Sequence, residues 1–181
     1  MPFQSLTREE VRSLLRNIKD ARDRCGFTIA YLHALRVSEM NTLTVADTEG
    51  GYLAVARLKG SMKTVQPLIS LPEDAVLDEV TALRDVVRKH GLGPKDVLFP
   101  KSRQRYYEIF RAAGRAAGLS PALSHPHILK HSIAYHLADQ SMPIKDLQTY
   151  CGHKNLSSTG VYLESTDAKA SAVAYRILAG K

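Results

Sequence analysis

From Gly51 to Ile69 the apolar residues fall in two short runs, Tyr52-Leu53-Ala54-Val55-Ala56-Arg57-Leu58 and Thr64-Val65-Gln66-Pro67-Leu68-Ile69, on either side of Lys59-Gly60-Ser61-Met62-Lys63. Two extended runs around a glycine-containing turn predict a β-hairpin. Outside this stretch the apolar residues recur at intervals of three and four, the period of helices buried along one side. A lone hairpin buries a face only by lying on other elements. The chain therefore reads as a mainly helical α+β domain of about seven to eight helices with one small antiparallel hairpin.

Thr7-Arg8-Glu9-Glu10 sets a hydroxyl at a helix start with glutamate three residues on, and Val11, Leu14, Leu15 and Ile18 follow along one face. The opposite face carries Arg8, Arg12, Arg16 and Lys19. A second helix through Phe27, Ile29, Ala30 and Leu32 delivers Arg36 to its junction with a third, opening near Ser38. Helix starts favour anions, so that junction matters. Pro72 is expected to open a helix that carries Val76, Leu77, Val80, Leu83 and Val87 and stops at Gly91. Ser102 caps the next, which runs to about Gly118 and displays Arg103, Arg105, Arg111 and Arg115 around Tyr106, Tyr107 and Phe110. Basic residues interleaved with aromatics fit a nucleic-acid groove, and the aromatics fit a core equally well. Pro126 and Pro143 sit where a first helical turn tolerates proline, so His127 to Gln140 and Ile144 to Tyr150 are successive helices, the second ended by Gly152. A shorter helical stretch carries Tyr162, and Ala170, Val173, Ala174 and Ile177 stripe a last helix.

A length of 181 residues is that of one domain, so residues 1–181 are read as a single unit. The formal charge of +7 and pI near 9.5 favour a polyanionic partner, with nucleic acid ahead of an acidic membrane surface. No apolar run approaches the ~20 residues of a membrane span, and the first residues lack the form of a secretion signal, so the expected location is the cytosol, on DNA. Cys25 and Cys151 are in no paired metal spacing and are expected as reduced, buried thiols. His125, His127 and His131 cluster, but no carboxylate or cysteine accompanies them at ligand spacing, and no metal or other cofactor is expected.

Arginine offers phosphate a planar fork of donors, imidazole and ammonium offer exchangeable protons, and a phenol attacks phosphorus once nearby cations stabilise its anion. Groups of those kinds recur in Ala34-Leu35-Arg36-Val37-Ser38-Glu39, in Lys59-Gly60, in His127-Ile128-Leu129-Lys130, in Cys151-Gly152-His153, and in Tyr162, nine residues beyond that histidine. In this order they resemble the motifs of the tyrosine recombinases, or phage-type integrases. The resemblance covers nearly the whole chain and implies an integrase-like catalytic domain.

It implies a site made of Arg36, Lys59, His127, Lys130, His153 and Tyr162. Arg36 would clamp the non-bridging oxygens and Lys59, on a hairpin closing on DNA, would protonate the leaving 5′-oxygen. His127 and Lys130 are three apart on one helix face, and His127, with an ordinary pKa of ~6.5, would shuttle the tyrosine proton. His153 would donate to phosphate, and Tyr162 would attack to give a 3′-phosphotyrosyl bond and a free 5′-hydroxyl, without ATP or metal. Duplex DNA is the implied partner, and a tetramer on DNA the implied assembly, with the Ala170 to Ile177 stripe as a candidate for helix exchange. Lys130 departs from the family's usual arginine, keeping the charge but not the bidentate fork. The family's amino-terminal DNA-clamping domain is not expected in this chain, whose catalytic pattern begins near Leu6; a compact member, like the fimbrial-type inversion recombinases, or a fragment fits that. Site-specific recombination, integration, excision or inversion is the leading expectation. A type IB topoisomerase, or a DNA-binding regulatory protein with a weakened core, remains open.

Overall fold

The computed structural model describes residues 4–57 and 62–162, together with 175, 178 and 179. Lys59 and nearly all of the Ala170 to Ile177 stripe lie outside the described residues. The helices are α1 (Arg8–Arg16), α2 (Ala21–Leu32), α3 (Val37–Met40), α4 (Glu79–His90), α5 (Arg103–Ala116), α6 (His127–Asp139), α7 (Ile144–Cys151) and α8 (Ser157–Gly160). Between α3 and α4 stand β1 (Tyr52–Val55) and β2 (Thr64–Pro67), paired antiparallel with Tyr52 opposite Pro67 and Val55 opposite Thr64. Mainly helical structure with one small antiparallel sheet is what the apolar pattern predicts.

Local chemistry sets most boundaries. The Thr7 hydroxyl accepts the Glu10 N–H at 3.2 Å while the Glu10 carboxylate accepts the Thr7 N–H at 2.7 Å, a reciprocal cap. Ser102 caps α5 through the Arg105 N–H, and Gly91 and Gly152, at φ of +59° and +65°, end α4 and α7 in the left-handed conformation that glycine adopts without strain. The expectation for Pro72 fails: α4 begins at Glu79. Ahead of it, Asp78 accepts the Leu71 N–H, and Asp74 accepts both the Val76 N–H and, at 2.7 Å, Arg12 Nε. Carboxylates that bond nearby backbone this way offer residues 71–78 an alternative to helix.

Helix α2 is buried from Cys25 to Leu32 and forms the centre, packing against α1, α4 and α6. Phe27 meets Tyr106 and Phe110 of α5 edge-on at 5.6 and 5.3 Å. Those two aromatics are therefore core. Tyr107 stays at the surface under the Arg103 guanidinium, beside exposed Arg105 and Arg111.

Candidate active site

The α2–α3 junction makes the first wall. Ala34 turns the chain at a φ of +52°, a conformation that costs a non-glycine residue on the order of 1 kcal/mol or more and persists where its surroundings fix it. Its carbonyl is fixed twice, accepting Arg57 Nη1 at 2.9 Å and Lys130 Nζ at 2.8 Å. Arg36 follows, donating its N–H to Glu39 Oε2 and its Nη1 to Glu39 Oε1. Burial would push the Glu39 carboxyl up; the Arg36 N–H and the charges of Arg57, Lys130 and Arg36 outweigh it and hold the group below the ordinary carboxylate range. Glu39 thus orients both arginines.

The second wall is the end of α7, whose last carbonyls have no partners within the helix. Tyr150 O accepts Gln66 Nε2 at 2.7 Å and Arg57 Nη2 at 3.3 Å, and Cys151 O accepts Lys130 Nζ at 2.7 Å. Cations suit a helix carboxyl end for the same reason that anions suit its start. Gly152 is required here, since a Cβ would lie 3.0 Å from Arg57 Nε and 3.2 Å from Met62 O. Met62 N–H reaches Gly152 O at 3.3 Å, so both sides of the hairpin turn rest on this loop.

The third component is aromatic. His153 bonds Thr159 Oγ1 through Nδ1 at 3.0 Å and stacks on Tyr162 at 6.3 Å with a 16° tilt. The Tyr162 hydroxyl lies 2.8 Å from His131 Nδ1, and His131 meets His127 edge-on at 4.4 Å. Tyr162 is only 4% exposed, and burial pushes its phenol above the usual range while the charge of Arg36 acts the other way. Burial, together with neighbouring positive charges, lowers His127, His131 and His153 to about 4, so all three rings are neutral at pH 7. Arg36 acts electrostatically on His127, Lys130, His153 and Tyr162 alike, which places five of the six sequence-predicted residues in one cluster.

Two features differ from the sequence reading. The ring in contact with the Tyr162 hydroxyl is His131, not His127. Lys130 is 2% exposed and directs two of its three N–H donors at backbone, with burial lowering it to about 8. Two further residues, His131 and Arg57, escaped the motifs. Each had a weak signal: His131 is one turn beyond His127, and Arg57, two residues before Lys59 and just past β1, continues the alternation that buries Leu53 and Val55. Among the described residues, no group of three or more His, Cys, Asp or Glu side chains is arranged to hold a metal ion.

The model of the phage integrase family matches residues 4–169. The chain belongs to that family. Among relatives, the type 1 fimbriae regulatory protein FimE of Escherichia coli K12 is 32% identical over 176 residues, covering 91% of this chain and 87% of that one. Tyrosine recombinase XerA of Thermococcus onnurineus is 32% identical over 171 residues, or 90% of this chain and 58% of the relative. Among solved structures, the XerH site-specific recombinase bound to difH substrate superposes with a TM-score of 0.75 at 19% identity, over 96% of this chain and 55% of that one. The Tn1549 transposon integrase in complex with transposon right end DNA gives 0.75 at 20% identity, over 98% and 67%. The integrase-family chain is thus a tyrosine recombinase, which favours recombination over the topoisomerase and regulatory alternatives.

Proposed function

We propose that this chain cleaves and rejoins duplex DNA at specific sites, with Tyr162 as nucleophile. The observation that carries the reading is the meeting of Tyr162 with the neutral imidazoles of His131 and His153, His127 behind His131, and the Arg36 charge, on a scaffold buttressed by buried Arg57 and Lys130. Arg36, at the site face with a side chain 32% exposed, binds a non-bridging oxygen while Glu39 holds its other edge. As phosphorus becomes five-coordinate, that guanidinium meets growing negative charge, and loss of such a donor costs about 100- to 1,000-fold in rate. His153 and His127 face the same space as neutral donors, and Lys130 adds positive charge from behind. Lys59 is assigned as general acid from its motif, since its flanking residues Arg57 and Met62 pack on Gly152, next to His153.

Attack leaves the phosphate energy in the tyrosyl bond, and a 5′-hydroxyl reverses the step without ATP. Four copies acting together on paired DNA sites are the assembly that exchange of strands requires in this reading. The test uses duplexes nicked close to the cleavage position, so that the short leaving strand diffuses away. The full chain is expected to trap an adduct that survives denaturant, and Tyr162→Phe none. An adduct formed by the Phe variant overturns the assignment.

A further inference from the structure

His131 lies outside every motif that marks the site, yet its ring touches the atom that reacts. We propose, resting on the reading of Tyr162 as nucleophile, that His131 is the catalytic base that takes the phenol proton as the Tyr162 oxygen attacks phosphorus. Its Nδ1 stands 2.8 Å from the hydroxyl, and His127 meets its ring edge-on at 4.4 Å and 82°. Nucleophile, base and a third group that steadies the base form the arrangement by which weak nucleophiles are activated. The role requires one tautomer of the contact: the phenol O–H donates, Nδ1 carries the lone pair and the ring proton sits on Nε2.

The titratable groups around His131 come from every side. His125, His127 and Lys130 belong to its own helix and the turn before it, Tyr162 and His153 to the segment after α7, and Arg36 acts on the phenol from the α2–α3 junction. Burial first, then His125 and Lys130, lower His131 to about 4 in the free protein, which keeps the ring neutral at pH 7. An anionic phosphodiester entering beside it acts in the opposite sense and makes the ring a stronger base when DNA is bound. In the step itself the tyrosine O–P bond forms, the bond from phosphorus to the 5′-oxygen breaks, and the phenolic proton passes to Nδ1. The general acid, Lys59 in the reading above, supplies the proton that the leaving oxygen takes. On rejoining, His131 returns its proton to the phenol.

The experiment compares the wild-type chain, His131→Gln and Tyr162→Phe on a pool of nicked random-sequence duplexes, scoring covalent adduct at fixed time from pH 7.5 to 9.5. Glutamine keeps a polar side chain at the position but takes no proton. The expected result is a yield lowered about 100-fold at pH 7.5. The variant should then climb about tenfold per pH unit relative to wild type, because the phenol must ionise by itself. A His131→Gln profile parallel to the wild type, at whatever level, overturns the proposal while leaving Tyr162 in place. No wild-type adduct, or adduct from Tyr162→Phe, overturns the parent reading and this one with it. A second measurement needs no variant of His131: ¹⁵N NMR of the free protein should show its Nδ1 unprotonated at pH 7 and shifted by Tyr162→Phe, and a protonated Nδ1 overturns the proposal.

Discussion

At the scale of single residues, Lys130 shows how one side chain serves scaffold and chemistry together. Its ammonium ties Ala34 O to Cys151 O, joining the arginine junction to the histidine loop. Lys130→Met keeps the bulk and strands the Cys151 carbonyl at a cost of about 1–3 kcal/mol, while Ala34 O keeps Arg57. Urea melts should therefore show the variant less stable by about 1–3 kcal/mol, and an unchanged midpoint would remove the strut. The histidines make a separate test by pH. His127, His131 and His153 titrate near 4 when folded against an ordinary 6.5, so between those values the unfolded chain binds more protons than the native one. Stability should accordingly rise with pH across that window and fall on acidification from 6.5 toward 4. Melts of the free protein check the slope, and His127→Asn should flatten it; a pH-independent midpoint would contradict the buried, neutral rings.

At the scale of elements, the hairpin is fastened through Arg57. Its guanidinium reaches Glu39, Ala34 O, His33 O and Tyr150 O, and its Nε reaches Thr64 on the opposite strand. Removing it leaves the Glu39 carboxylate buried without that partner, a change worth about 3–5 kcal/mol. Arg57→Met should lower stability by about that amount and weaken adduct formation with it, measured by melts and by trapping. Gly152→Ala adds a left-handed strain and a Cβ against Arg57, and should loosen the same joint. Sequence pattern exposes the outline of these elements and conceals their joints. The hairpin, the caps at Thr7 and Ser102 and the stops at Gly91 and Gly152 were legible because each depends on neighbours a few residues apart. The start of α4 was not, because Asp74 is claimed by Arg12, 62 residues away in sequence. Arg57 and His131 were hidden for the same reason, as their meaning lies in contacts with Glu39 and Tyr162.

At the scale of the molecule, net charge and site geometry act in succession. The formal charge of +7 favours encounter with a phosphate backbone irrespective of sequence. Binding to a nonspecific duplex should then fall linearly on a log–log plot as salt rises, checked by titration at several salt concentrations, and salt-independent affinity would remove phosphate contact as the driving term. Once a backbone is seated, everything turns on the phenol among the imidazoles. The most direct measurement digests the trapped adduct with nuclease and protease and locates the nucleotide mass along the chain. The account expects it on Tyr162 alone, joined through a 3′-phosphate; the mass on any other residue, or a 5′-phosphate at the junction, contradicts it.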